Sequence, residues 1–311
     1  MDTGDPFWIE RARAALISDG RDTAPPLTLT RVKPGQTANY RCGDAVVKLF
    51  IGEAATAQAL RAHNAQQRAA RVVVDGLPIA PRPGPLTDAA FAMDWLEVTT
   101  LAKALCHPFA ARADLIKGAA KVLRANHAPR ADHLLPCGGW PADRLRKVVA
   151  RAGSLPWPGF QKQVDDTVDA LWQNRDAKGL AGFAHGDFHI DNVLVDHGKR
   201  MSLIDFDLDT QRPVVIDAAN FLTSLAARTP LWRVGMRGAL GIAKRDSDAF
   251  LAGYRELATQ EELLALHMLR FALRRAVVAG RSGWARRGSR HTPQVRRLHR
   301  VADRLHTTLF G

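Results

Sequence analysis

HGDFHIDNVLVD, residues 185–196, with LIDFD at 203–207, is the stretch that decides the fold. Asp187 and Asn192 stand five residues apart, and Asp205 follows on the next apolar run, after the turn DHGKR. A short loop of that length aims one carboxylate at a reacting group while an amide oxygen reaches a neighbouring point. A hairpin return then delivers a second carboxylate to that same point. So small a set of hard oxygen donors suits Mg²⁺, which keeps waters and phosphate oxygens among its ligands. Residues 187–217 hold seven Asp against Lys199, Arg200 and Arg212, a net −4 inside a chain of formal net charge +13. Polar turns with solvated acids would also be acidic, but they give no reason for the spacing, the HGD triplet and the second IDFD to coincide.

Upstream, FWIERARAALIS (7–18) reads as a short amphipathic helix that DGRDTAPP breaks. LTLTRVK (27–33) and YRCGDAVVKLF (40–50) read as two strands of a hairpin around the loop PGQTAN. Residues 53–71, rich in Ala, Gln and Arg, predict one helix of about five turns. VVVDGLPIAPRPGPL predicts a strand entering a Pro-rich loop, and AFAMDWLEV (90–98) a strand running into a connector. Helices are expected at 110–127, 141–151 and 160–175, short β-type runs through the acidic island, and helices again beyond Asp217, with breaks at Pro230, 280–288 and Pro293. The fold class expected is α+β, with a strand-rich N-terminal nucleotide-binding lobe at 1–97 and a helix-rich C-terminal catalytic and substrate-binding lobe at 98–311. Clefts between such lobes are common ligand sites.

The Asp187–Asn192 interval is also that of the protein-kinase catalytic loop H-R-D-x-x-x-x-N, with HGD in place of HRD. On these residues the chain resembles the aminoglycoside phosphotransferase and choline kinase-like superfamily, the small-molecule relatives of protein kinases, from about residue 32 to 221. The resemblance implies a bilobal protein-kinase-like fold and an ATP- and Mg²⁺-dependent kinase acting on a hydroxyl of a small molecule. It implies Asp187 as the catalytic base or hydroxyl-orienting residue, and Asn192 and Asp205 as the Mg²⁺ ligands. Asp217, in VVIDAANFL, is implied as an anchor of the catalytic loop. His189, placed where protein kinases carry a Lys, is a candidate contact for the transferred phosphoryl group. His185 reads as buried scaffold, His127 in RANHA as packing, and Asp207 either helps hold the metal or only flanks it.

In the N-terminal hairpin, the loop holding Gly35 and Asn39 is similar to family loops whose backbone N–H groups meet nucleotide phosphates, and Lys48 matches the ammonium on the α and β phosphates. AFAMDWLEV resembles the strand and hinge that hold adenine, with Met93 behind the base and backbone groups from Asp94 to Leu96 on its edge. One departure stands out. The superfamily pairs this Lys with a helix Glu about sixteen to twenty residues on, and here that window holds Asn64, Gln66, Gln67 and Arg68 but no acid. Either Glu53 reaches Lys48, or Gln66 or Gln67 supplies a neutral hydrogen bond. The same departure supports an alternative, a regulatory pseudokinase that binds nucleotide and transfers nothing.

Composition narrows the remaining classes. With 46% hydrophobic and 24% charged residues the chain is neither disordered nor fibrous. Cys42, Cys106 and Cys137 are too scattered for a zinc site and odd in number for a secreted disulfide framework. The beginning, MDTGDPFWIERARAAL, carries acids where a secretory signal has basic residues, and no run approaches the roughly 20 apolar residues that span a bilayer. A cytoplasmic protein is expected. Residues 270–304 hold eleven Arg and one acid, so nearly all the positive excess is C-terminal. A solvated face and an anionic or lipid-linked acceptor are the favoured readings of this segment, ahead of nucleic acid. Cationic acceptors want acids or aromatic cages, which directs attention to an anionic acceptor. Trp232, Arg233, Arg237, Tyr254 and Trp284 are candidate pocket walls.

Overall fold

A computed structural model describes residues 6–33, 36–107, 111–129, 132–152, 155–228, 244–281 and 293–311. In chain order the elements are α1 (Pro6–Ser18), β1 (Thr28–Lys33), β2 (Thr37–Cys42), β3 (Ala45–Phe50), α2 (Ala55–Ala69), β4 (Val73–Val74), β5 (Leu77–Pro78), β6 (Ala90–Asp94) and β7 (Thr99–Thr100). They continue with α3 (Leu101–Ala104), α4 (Arg112–His127), β8 (Leu134–Pro136), α5 (Trp140–Ala150), α6 (Phe160–Gln173), β9 (Lys178–Phe183), β10 (Val193–Val195), β11 (Met201–Leu203) and β12 (Gln211–Pro213). The chain ends in α7 (Val215–Arg228), α8 (Lys244–Gly253), a 3₁₀ helix (Arg255–Gln260), α9 (Glu261–Arg281) and α10 (Pro293–Phe310).

These elements cluster into two compact units. The first takes the residues up to Thr99 together with His185–Asp187 and Asn192–Thr210; the second takes Thr100–Ala184, Phe188–Asp191 and everything from Gln211 onward. A single cut after residue 97 would assign the acidic island to the C-terminal part. Instead most of it joins the N-terminal strands, because Leu203 N–H donates to Ile79 O at 2.6 Å and Lys48 binds Asp205.

The first unit is built on an antiparallel sheet of order β1-β2-β3-β6. Alternation sorts its side chains onto two faces. Ala38, Tyr40, Val47 and Leu49 pack with Ala12, Ala15 and Leu16 of α1, while Phe50, Phe91 and Met93 pack with Ala55, Ala59 and Ala62 of α2. Alanines at that helical spacing let α2 lie close to the strands. The expected hairpin is drawn differently. Residues 40–50 are not one strand but parts of two, turning at Gly43 and Asp44, where Gly43 has φ +57; such a φ costs glycine nothing and other residues strain. The strand expected at the start of VVVDGLPIAPRPGPL is the short ribbon β4–β5, which turns through Asp75 and Gly76, both at positive φ.

In the second unit β8, β9 and β12 form a small antiparallel sheet, and helices supply the rest. Residues 215–227 of α7 and 264–273 of α9 are buried all round, so both are core helices rather than amphipathic surface ones. α9 packs against α5, α6, α7 and α10.

Candidate active site

Of the ten residues singled out for chemistry or cofactor binding, eight described ones, Lys48, Asn39, Met93, Asp94, Leu96, Asp187, Asn192 and Asp205, lie in the first unit, on strands β2, β3 and β6, beside the β10–β11 hairpin and in the loops next to them. His185 ties the loop at 185–192 to the β10–β11 hairpin. Its Nδ1 accepts the Asp187 N–H at 3.3 Å and its Nε2–H donates to Ile204 O at 3.0 Å, which makes the ring neutral, and it stacks on Phe206 at 4.3 Å. Gly186, between them, has φ +88, and a Cβ there would lie 2.6 Å from Leu208 Cγ. That contact explains the glycine of HGD physically: a side chain at 186 would be strained twice, by its backbone and by Leu208.

Asn192 is fully buried and its amide is split in use. The Nδ2 donates to Asp187 O at 3.0 Å, whereas the Oδ1 has no hydrogen-bond partner. Ile204 N–H bonds Asn192 O at 3.1 Å and Val193 pairs with Leu203, so the β10–β11 hairpin brings Asp205 back beside the loop. Asp205 sits at φ +65, an uncommon conformation for a non-glycine residue that the surroundings must hold in place. Its carboxylate takes Lys48 Nζ at 2.6 Å and Arg31 Nη1 at 3.5 Å. Lys48, only 5% exposed, is thus a buried ammonium neutralised by the acid of IDFD.

This pairing answers the question of the missing helix acid. Neither Glu53 nor Gln67 serves Lys48: both are exposed, and Gln66 donates its amide to Pro81 O at 2.7 Å. The tie between α2 and the acidic segment has its charges reversed, with Arg68 of the helix bound to Asp209. Arg31 and Arg68 were missed by motif reading. The signal for Arg31 was the register, since Arg31, Asn39 and Lys48 stand opposite one another across β1, β2 and β3. Cross-strand partners share a face.

Asn39 is accordingly a strand residue and not part of a phosphate loop; its backbone O accepts from Thr30 Oγ1 at 3.0 Å, and its buried Oδ1 has no partner. Gly35 lies outside the described residues, as do Trp232, Arg233, Arg237 and Trp284. Met93 is packed in the sheet–α2 core. At the expected hinge, Asp94 gives its carboxylate to Arg21 at 2.9 Å, Trp95 N–H bonds Asp44 O at 2.7 Å and Leu96 O accepts from Val98 N–H at 2.9 Å. Several of the polar groups expected to meet a base are therefore already used within the chain. Leu96 lines a cavity of about 400 Å³ formed by residues 95–99 and 195–197.

His189 belongs to the second unit. Its Nδ1 lies 3.2 Å from the Asp191 N–H and 3.5 Å from the Asp191 carboxylate, and Asp191 pairs with Arg228 at 2.8 Å. Burial opposes the charge on Asp191, yet a hydrogen bond with His189 and the nearby Arg228, His189 and Arg275 outweigh it and hold that carboxyl below its usual range. In the same unit Asp217 accepts from His127 Nε2 at 3.2 Å, and His127 Nδ1 meets the Tyr254 hydroxyl at 2.9 Å. Tyr254 and His127 have no exposure, and burial pushes the Tyr254 phenol far above its ordinary pKa. Tyr254 is thus a core residue and not a pocket wall.

The sequence profile of the phosphotransferase enzyme family (APH) matches residues 28–258. The chain belongs to that family. No curated protein matches it by sequence. Among solved structures it is similar to a choline/ethanolamine kinase family protein from Mesorhizobium loti, at 15% identity and TM-score 0.60 over 98% of this chain and 99% of that one. It is also similar to a putative aminoglycoside phosphotransferase from Ralstonia eutropha (15%, TM-score 0.57, 97% of each chain). A third is a glucosamine kinase in complex with glucosamine, ADP and inorganic phosphate (17%, TM-score 0.57, 99% of this chain and 84% of that one). At such identities the likeness carries the fold, α+β and protein-kinase-like.

For a member of this family the donor set can be tested against a divalent cation. Among the described residues no three His, Cys, Asp or Glu side chains gather as a metal cluster. The buried, partnerless Oδ1 of Asn192 fits a hard cation, as does the Asp205 carboxylate, and one amide with one carboxylate is the modest protein share that Mg²⁺ takes when phosphates complete its shell. No described helix is long and apolar enough to cross a membrane.

Proposed function

We propose that this chain is an ATP- and Mg²⁺-dependent phosphotransferase that phosphorylates a hydroxyl group of a small molecule. The observation that carries the reading is the Asn192 side chain, whose Nδ2 is spent on the Asp187 carbonyl while its buried Oδ1 is left without a partner. An orphaned buried acceptor costs about 1–3 kcal/mol, and a divalent cation held jointly with the Asp205 carboxylate would satisfy it. When bound, Mg²⁺ offsets charge on the phosphate oxygens. The strand-rich part of the chain, up to about residue 97, binds the nucleotide, with Lys48 on its phosphates, and the remainder supplies catalytic and acceptor-binding groups.

In the transfer itself the acceptor oxygen forms a bond to the γ-phosphorus as the bond to the bridging oxygen of ADP breaks, and the hydroxyl proton passes to the Asp187 carboxylate. Catalysis is then mainly positioning and charge neutralisation. His189 is a candidate contact for the transferred phosphoryl group. The acceptor class is a small hydroxyl compound, with an anionic one favoured by the Arg-rich 270–304 segment, and the expected setting is the cytoplasm.

Asp187→Asn is expected to lower turnover about a thousandfold while ATP affinity stays within about twofold. The measurement is ATP consumption across a panel of hydroxyl metabolites, anionic and cationic. Unchanged turnover in the variant would refute the role of Asp187. The engagement of Lys48 by Asp205 in place of a helix acid supports the second reading, a nucleotide-binding pseudokinase. Thermal stabilisation by ATP with no acceptor-dependent consumption favours it.

A further inference from the structure

Helix α9 runs through the core of the second unit, and its residues 264–273 are all buried. Two of them are not apolar. His267 has no exposure and neither ring nitrogen has a hydrogen-bond partner; Arg270, one turn on, is 3% exposed and its Nε has none. Burial, aided by the Arg270 charge, lowers the His267 pKa so far that the ring is neutral. Buried polar atoms are partnered in roughly nine cases out of ten or more. Three partnerless nitrogens on one stretch of helix therefore point to a group that the protein itself does not supply.

The surroundings of Arg270 define the charge of that group. Its guanidinium carbon lies 5.4 Å from the ring centroid of Trp140, at the start of α5, and 4.0 Å from that of Phe271. Arg212, half-buried on β12, places its guanidinium 4.9 Å from the same Trp140 ring. Burial, reinforced by Arg274 and Arg144, lowers the Arg270 pKa to about 9. Burial likewise lowers that of Arg212; Asp217 opposes this, but that acid already receives His127. Among the described residues no carboxylate bonds either guanidinium. Stacking on an aromatic face contributes about 0.5–2 kcal/mol, less than the several kcal/mol that removing an ion from water costs.

We propose that Arg270 and Arg212, beside Trp140, form a binding site in the helical unit for a phosphate-class oxyanion. Each guanidinium lies against the Trp140 ring and offers a planar donor fork that matches such an anion, and rigid aromatic faces hold them. All of its residues lie in the second unit, so the site is separate from Lys48, Asn192 and Asp205, and it does not rest on the phosphotransfer reading.

Inorganic phosphate is the probe, and the readout is thermal unfolding of the full chain in phosphate against chloride at matched ionic strength. The melting temperature of the wild type should rise with phosphate, as binding to the native state requires. The concentration needed should rise about tenfold or more in Arg212→Gln and in Arg270→Met, and stay unchanged in Lys48→Met. If Arg270→Met fails to fold, Arg212→Gln decides, since its site on β12 is only half-buried. The proposal is overturned by a wild type that ignores phosphate, by Arg212→Gln responding as the wild type does, or by a response lost only with Lys48.

Discussion

Two buried cations, Lys48 in one unit and Arg270 in the other, stand in opposite settings. In the strand-rich unit buried Lys48 holds Asp205, and the half-buried Arg68 holds Asp209. In the helical unit Arg270 is more buried still, 3% exposed against 5% for Lys48, yet it lies against aromatic rings and other arginines, and no carboxylate bonds it among the described residues. Paired charges in a low-dielectric setting hold a loop in one geometry and need nothing further. An uncompensated guanidinium instead lowers the stability of the empty protein and raises its affinity for an anion. With the anion site proposed above, one sequence would carry a charge-paired site arranged in advance and an unpaired one that takes its ligand later.

The contrast can be broken most sharply at Gly186. Gly186→Ala forces a side chain toward Leu208 at a positive φ, and the expected loss is about 2–4 kcal/mol in chemical denaturation. A neutral result would mean that the catalytic loop is not tightly held. A smaller effect comes from converting the paired region into an unpaired one. Arg68→Ala leaves the Asp209 carboxylate without its ion partner and should cost about 1–2 kcal/mol, the pair being partly exposed. Adding Asp209→Asn should restore most of that loss, because the charge left behind is then gone. If the double variant is as unstable as the sum of the singles, the pair contributes nothing.

What could be read from the sequence follows the range of the interactions. Asp187, Asn192 and Asp205 are legible because a loop of fixed length and a tight hairpin bind them locally. The turn at Gly43 and Asp44 is obscured by the continuous apolar run around it, and Asn39 was consequently placed in a loop when β2 had already begun. The partner of Lys48 lies 157 residues away, beyond any periodicity, and a search for a helix acid looked in the wrong element. Arg31 becomes visible only once strand register aligns it with Lys48. Arg270 shows the reverse difficulty: in the helical run EELLALHMLRFALRR it looks like one more surface arginine, and only the packing of α5, α7 and α10 around α9 buries it.

The central claim concerns the amide oxygen of Asn192 and the carboxylate of Asp205, and it can be tested without knowing the acceptor. Electron paramagnetic resonance of Mn²⁺, titrated into the protein with a non-hydrolysable ATP analogue, reads the cation site directly. The account predicts affinity about tenfold weaker or worse in Asn192→Ala and Asp205→Asn, with circular dichroism unchanged. Wild-type Mn²⁺ affinity in both folded variants would contradict it.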